Sequence, residues 1–316
     1  MEVASHKKQE THALVQSNHL DRSGLMAFIG FVLLLGGAPV AMRITYAELD
    51  PLWLGFLRFG LAAIVFWLLV MFKGLKIPSG RALMGGILYG VFGIGIAFVF
   101  LSWGLLKTPA SLAAIFLGLI PLLTILLSAL QGVEALTARG LFGALLSVLG
   151  AMIAIGAVSS TAEISLLHLG ALVVGAAFLA QGGLVVKRFP ANPPILTNAI
   201  SMTVGAIILA TASLVSGETW VIPSLPNTWM ALGYLVFLAS GAAFLLYLQV
   251  LNRWTASGTS YGFVVIPFIT TAISALLSGE AITLNLLLGI LVVVSGVILG
   301  ALLPLKASRV ADCMPC

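Results

Sequence analysis

The stretch ASLAAIFLGLIPLLTILLSALQGVEALT, Ala110 to Thr137, returns as ASGTSYGFVVIPFITTAISALLSGEAIT, Ala256 to Thr283. The second copy lies 146 residues on (256 − 110), and at that offset Ala110-Ser111, Ile120-Pro121, Thr124, Ser128-Ala129-Leu130, Glu134-Ala135, Thr137, Gly143 and Gly150 all meet the identical residue. The chain is therefore one unit written twice. Both copies are apolar over most of their length, and paired repeats in apolar sequence put the working site where the two copies meet.

Composition sets the solvent. Of 316 residues, 60% are hydrophobic and only 8% charged, with a mean hydropathy of +1.17. A soluble protein of this size needs more polar surface, so the chain is read as an all-α integral membrane protein in a lipid bilayer. The net charge of +5 points to no nucleic acid, because the basic residues sit in short connections and form no stripe with interleaved aromatics. Cys313 and Cys316 are the only cysteines. They leave no disulfide framework and no metal-ligand spacing, and no cofactor is expected. The terminal Cys-Met-Pro-Cys has a C-a-a-X form with little basic charge beside it and is read as tail.

Apolar runs of about 20 residues give ten spans, at roughly 25–45, 51–72, 82–105, 110–130, 137–158, 166–187, 194–215, 228–251, 257–277 and 283–303. This divides the chain into a tail (1–24), a five-helix repeat (25–158), a second five-helix repeat (166–303) and a tail (304–316). The polar stretch before the first span is too long for a signal-peptide n-region, so that span is expected to be retained. With a cytoplasmic N-terminus, Lys7, Lys8, Arg22, Lys73, Lys76, Arg81, Arg139, Lys187, Arg188, Arg253, Lys306 and Arg309 fall inside. Only Arg43 and Lys107 fall outside, a strong positive-inside bias that puts both termini in the cytoplasm. Five spans per repeat is an odd number, so the second repeat enters the membrane inverted.

These residues carry a resemblance. The chain resembles ten-helix members of the drug/metabolite transporter superfamily, in the group with two EamA domains. Ala110-Ser111, Pro121, Glu134 and Thr137 fill that group's pattern once, and Ala256-Ser257, Pro267, Gly279-Glu280 and Thr283 fill it again; Val133 stands where the second copy has Gly279. Gly37, Arg43, Pro51 and Arg58 match the first two helices of the group, whereas the matching stretch of the second half (Gly175, Lys187, Pro194) has no Arg. The resemblance implies secondary transport across a bacterial-type cell inner membrane, with export as the direction.

Read on their own, the residues suggest where a solute would be held. A mid-helix proline frees a backbone acceptor and bends the helix, and in lipid such a bend belongs where protein or a water-filled cavity covers it. Pro121 and Pro267 are therefore expected to make symmetric kinks lining a cavity, with packing kinks as the other reading. Arg58 lies inside a span, where burial costs about 2.5–3.5 kcal/mol on insertion scales. It either meets a substrate carboxylate or polarises the outer mouth, or it snorkels and bonds carbonyls near a helix end. Further candidates for substrate contact are Tyr89, Trp103, Gln181, Asn198, Tyr247, Gln249 and Tyr261, with Ser111, Thr124, Ser257 and Thr270 on the kinked helices. Trp103 and Tyr247 also suit an aromatic belt, and serines and threonines commonly bond their own helix.

Several chemistries are excluded or disfavoured. Every acidic residue and histidine lies in a tail or near a span end, so no midplane group relays a proton, and Glu134 and Glu280 read as turn residues beside Thr137 and Thr283. No G-x-x-x-x-G-K-[ST] segment occurs, and Gly93-Ile94-Gly95 is no nucleotide loop. Together with Gly241, and with Ala97-Phe98 matching Ala243-Phe244, it suggests close packing of helices three and eight through small residues. The expectation is a secondary transporter of small metabolites, amino acids or drug-like solutes and not an enzyme. The alternatives are a nucleotide-sugar or sugar-phosphate antiporter and a channel or structural membrane protein. Monomer and homodimer both stay open.

Overall fold

The computed structural model describes residues 22–131, 138, 142–143, 145–146, 149–150, 152–154, 165–254, 256–279 and 281–299. The described residues form helices joined by short connections. Eight are long and apolar enough to cross a membrane: Arg22–Thr45, Pro51–Phe72, Gly80–Leu105, Ala110–Leu130, Leu166–Arg188, Pro194–Ser216, Pro226–Arg253 and Gly258–Leu277; Leu284–Gly296 is shorter and apolar. They match eight of the ten expected spans closely. The tenth is represented by the shorter helix, and most of the fifth, with Glu134, Thr137 and Glu280, lies outside the described residues.

Local sequence explains the helix ends. Pro51 and Pro194 open their helices in the first turn, where a missing N–H breaks no helical bond. Gly217 follows Pro194–Ser216 with φ 71°, a left-handed closing residue. It turns the chain so that the Glu218 carboxylate accepts from Leu52 N at 3.1 Å and Trp53 N at 2.7 Å. Thr283 caps the last helix, its hydroxyl accepting from Leu286 N at 3.2 Å, the helix-end role expected of it.

Pro51–Phe72 and Pro194–Ser216 run antiparallel. Leu52 meets Glu218, Gly55 packs on Leu209 and Gly60 on Ala206, and Trp67 Nε1 donates to Thr203 Oγ1 at 2.9 Å. One number rises as the other falls. The other packings also come in pairs: Ala97–Leu105 lies on Leu166–Arg188 as Ala243–Arg253 lies on Arg22–Gly36, and Ile120–Leu130 lies on Leu166–Arg188 as Gly262–Ser278 lies on Arg22–Gly36. Each half carries a π-helical segment, Gly90–Ile96 and Tyr234–Ala242, and the last seven residues of the second lie 146 beyond the first.

The bundle has two faces of opposite character. One collects Arg22, Lys73, Lys76, Arg81, Lys187, Arg188 and Arg253; the other has Arg43 and Lys107 with Glu48, Asp50 and Glu218. Gln131 bonds Gln181 on the basic face, while His168, near the start of the same Leu166–Arg188 helix, lies against Gly104 on the acidic face. Gln131 and Leu166 therefore stand at opposite faces.

Two expectations change. The paired prolines differ in setting: the helix breaks at Gly118-Leu119 just ahead of Pro121, whereas Pro267 sits within the continuous Gly262–Ser278 helix with its ring near Gly118. The small residues of Gly80–Leu105 pack elsewhere than on Pro226–Arg253. Gly93 meets Gly182, and Gly90 meets Ser201, because only a residue without a Cβ lets those backbones touch.

Candidate functional site

The first helix is broken in mid-membrane. Arg22–Gly36 ends, Gly37 intervenes, and Ala38–Thr45 begins with Pro39 in its first turn. Pro39 has no N–H for the Leu35 carbonyl, and neighbouring carbonyls gain side-chain donors instead. Tyr234 Oη donates to Leu34 O at 2.5 Å and Thr270 Oγ1 to Gly36 O at 2.6 Å. Both donors come from the second half, so the break is held by the opposite repeat. Its sequence mark is Gly36-Gly37-Ala38-Pro39.

Beside this break lies a cavity of about 60 Å³. Its first-half wall includes Leu35, Ala38, Pro39, Met42, Arg58, Phe98, Leu101 and Leu117, and its second-half wall Leu172, Leu179, Ala243, Phe244, Tyr247 and Phe263. Phe98 and Phe244, 146 positions apart, meet at 6.3 Å between ring centroids. The same offset pairs Leu101 with Tyr247 and Leu117 with Phe263, so the cavity straddles the seam between like halves. At about 10–15 Å³ per water it holds a few waters, and a larger solute requires the halves to part.

Arg58 is the charged group in this wall and is 1% exposed. Its Nε donates to Ser240 Oγ at 2.6 Å, and one terminal nitrogen reaches Met42 Sδ at 3.6 Å. The other terminal nitrogen has no hydrogen-bond partner. The guanidinium carbon stands 4.8 Å from the Phe59 ring centre and 5.1 Å from that of Phe98, and ring faces of this kind partly offset a buried cation. No described carboxylate pairs with it: Glu218 and Asp50 bond backbone N–H groups across the acidic face, and Glu48 bonds the start of Pro226–Arg253. Arg58 thus neither snorkels to the surface nor caps a helix end.

The remaining candidates are scattered. Tyr247 joins Arg58 in the wall, its ring packed on Phe31 and Phe263 at 5.7 and 6.0 Å. Tyr89 is fully buried with an unpartnered hydroxyl, and its ring lies against Gly93 and Gly182. Gln181 accepts from Gln131 Nε2 at 2.7 Å, so its partner is a helix-end carboxamide on the basic face. Trp103 is 37% exposed and packs on His168 at 4.7 Å, as a belt residue would. Thr124 donates to Ile120 O of its own helix at 2.8 Å, unlike its repeat counterpart Thr270. Ser111, Pro121, Gln249, Tyr261 and Pro267 do not line the cavity, and the Ser257 side chain lies outside the described residues. Sequence reasoning missed Ser240 and Tyr234. The only signal for Ser240 was a hydroxyl near the midpoint of a span, and Tyr234 had none beyond its residue type.

The ends of the cavity differ. On the acidic face one terminal nitrogen of Arg43 donates to Thr108 O at 2.7 Å and Leu105 O at 3.2 Å, and Tyr46 Oη to Ser102 O at 3.2 Å. Toward the basic face Phe28, Phe31, Tyr247, Phe263 and Trp254 form a continuous aromatic cluster. Outside the membrane-spanning segments, the hydroxyls of Ser224 and then Thr228 hold the Glu48 carboxyl down at about 2, from its ordinary 4.5.

A bundle of apolar helices in two like halves, with a cavity on their seam, defines a multi-pass membrane protein. The EamA-like transporter family model matches residues 22–156 and again 166–301, and the chain belongs to that family. Among its relatives, the uncharacterized transporter YyaM of Bacillus subtilis is 27% identical over 85% of this chain and 90% of its own length. The uncharacterized inner membrane transporter YedA of Escherichia coli K12 is 26% identical over 86% and 89%. A crystal structure 20% identical in sequence shares the fold, with a TM-score of 0.67 over 89% of this chain and 97% of that one.

Proposed function

We propose that this protein is a secondary transporter of the cell inner membrane that exports small, partly apolar solutes, among them metabolites, amino acids or drug-like compounds. The observation that carries the reading is the cavity on the seam, walled by apolar residues from both halves with Arg58 as its charged group. The five-helix repeats 25–158 and 166–303 rock about that seam as inverted units. The carbonyl-bonded acidic end and the aromatic basic end serve as the two gates. The basic face is cytoplasmic by the positive-inside rule, with both termini there. The family match and the inner-membrane relative support this reading. A nucleotide-sugar or sugar-phosphate cargo fits less well, because a doubly charged phosphate wants more than one cation in its site.

Reconstituted protein should give saturable uptake stimulated by the same solute on the far side. Uptake that rises linearly with concentration, with no counterflow, would refute a carrier and favour a channel.

A further inference from the structure

Arg58, in the wall of an apolar cavity, carries more donors than the protein satisfies. Its Nε is taken by Ser240 and one terminal nitrogen by a thioether, a weak acceptor, while the other has no partner although it is fully buried. Buried donors are normally bonded, and buried charges are paired. Here the rings of Phe59 and Phe98 lie beside the guanidinium but offer no strong acceptor. The rest of the wall is Leu, Ala, Phe, Pro and Met with one tyrosine.

From this we infer that the cargo is an organic monoanion, one carboxylate on an apolar body. The unpartnered nitrogen is shielded from the cavity as it stands, so the carboxylate reaches the free edge of Arg58 when the halves part, and the body fills the surface formed by Phe98, Phe244, Leu101 and Phe263. A single cation neutralises a single negative charge. A neutral solute leaves Arg58 unpaired, an amine adds a second cation beside it, and a bare inorganic anion leaves the apolar wall unfilled. The inference rests on the transport reading above for the word cargo, while the site itself is defined by binding.

The test uses purified full-length protein and three probes that share one ring: phenylacetate, phenylacetamide and 2-phenylethylamine. Chloride and inorganic phosphate serve as anions without a body. Calorimetric titration at pH 7 should give phenylacetate an affinity about tenfold or more above the amide and the amine, the scale of a charge-assisted pair, and neither inorganic anion should match it. Arg58→Gln should abolish the preference, and Arg58→Lys should keep part of it, since lysine retains the charge without the planar fork. Equal affinities for the three probes, or a preference that survives Arg58→Gln, would overturn the inference. Chloride or phosphate binding as tightly as phenylacetate would overturn it too. If Arg58→Gln does not fold, the wild-type series still decides. Counterflow separates the two readings: acid-selective binding without counterflow would sink the carrier and keep the site, and counterflow without acid preference would do the reverse.

Discussion

Gly182→Ala tests the close backbone approach between Leu166–Arg188 and Gly80–Leu105. A Cβ on Gly182 would lie 2.5 Å from Gly93 Cα and 2.9 Å from Gly93 N, with Tyr89 Cδ2 at 3.3 Å. The first two are backbone atoms of the neighbouring helix and cannot rotate away. Carbon pairs rest at about 3.5–4.0 Å, so the helices Leu166–Arg188 and Gly80–Leu105 must part by roughly 1 Å. Forcing a methyl into such a contact costs about 1–3 kcal/mol, against a gain of about 1 kcal/mol from alanine's helix propensity. The net expectation is destabilisation of up to about 2 kcal/mol. Gly170→Ala, on the same helix with nothing within 4 Å of its Cβ position, is the control and should be neutral or slightly stabilising. Thermal unfolding in detergent, followed by loss of the monodisperse peak, reads both. A Gly182→Ala protein as stable as Gly170→Ala would refute the close approach.

Three further outcomes follow from particular contacts. Thr270→Val should destabilise by about 1 kcal/mol, because Gly36 O loses its donor at the helix break. Thr124→Val should cost less, since Ile120 O sits within its own helix; equal losses in thermal unfolding would contradict this asymmetry. Glu48 is held at about 2 against an ordinary 4.5, so its stabilising contribution is complete above about pH 4.5 and fades as pH falls toward 2. Glu48→Gln should shrink the fall in melting temperature across that window; an unchanged fall would remove Glu48 from the acidic-face contacts. Cysteines at Lys76 and Lys187 should resist an impermeant thiol reagent applied outside intact cells, while one at Ile222 should react, and outside labelling at position 187 would reverse the orientation.

What the sequence could establish by itself were properties carried along the chain. Hydropathy marked the membrane and most span ends, because a helix in lipid must be apolar for about 20 residues whatever it packs on. The repeat from Ala110 and Ala256 declared two like units, and the scattered basic residues separated the two faces. Thr283 as a helix cap was readable because that role depends on position within one helix.

The site was decided by tertiary structure. Arg58 was visible as a charge in a span, but its hydroxyl partner is 182 residues away, and its free edge is known only once the halves are packed. Gln181, also polar and equally deep in its span, accepts from Gln131, and nothing in its spacing says so. Pro121 and Pro267 are equivalent in sequence, yet one follows a break and the other lies in a continuous helix near Gly118, while the break beside the cavity is the one at Gly37. The physical reason is that lipid offers polar groups no partner. A group that its own helix does not satisfy depends on a neighbouring helix for a partner, and which helix is its neighbour is a property of packing.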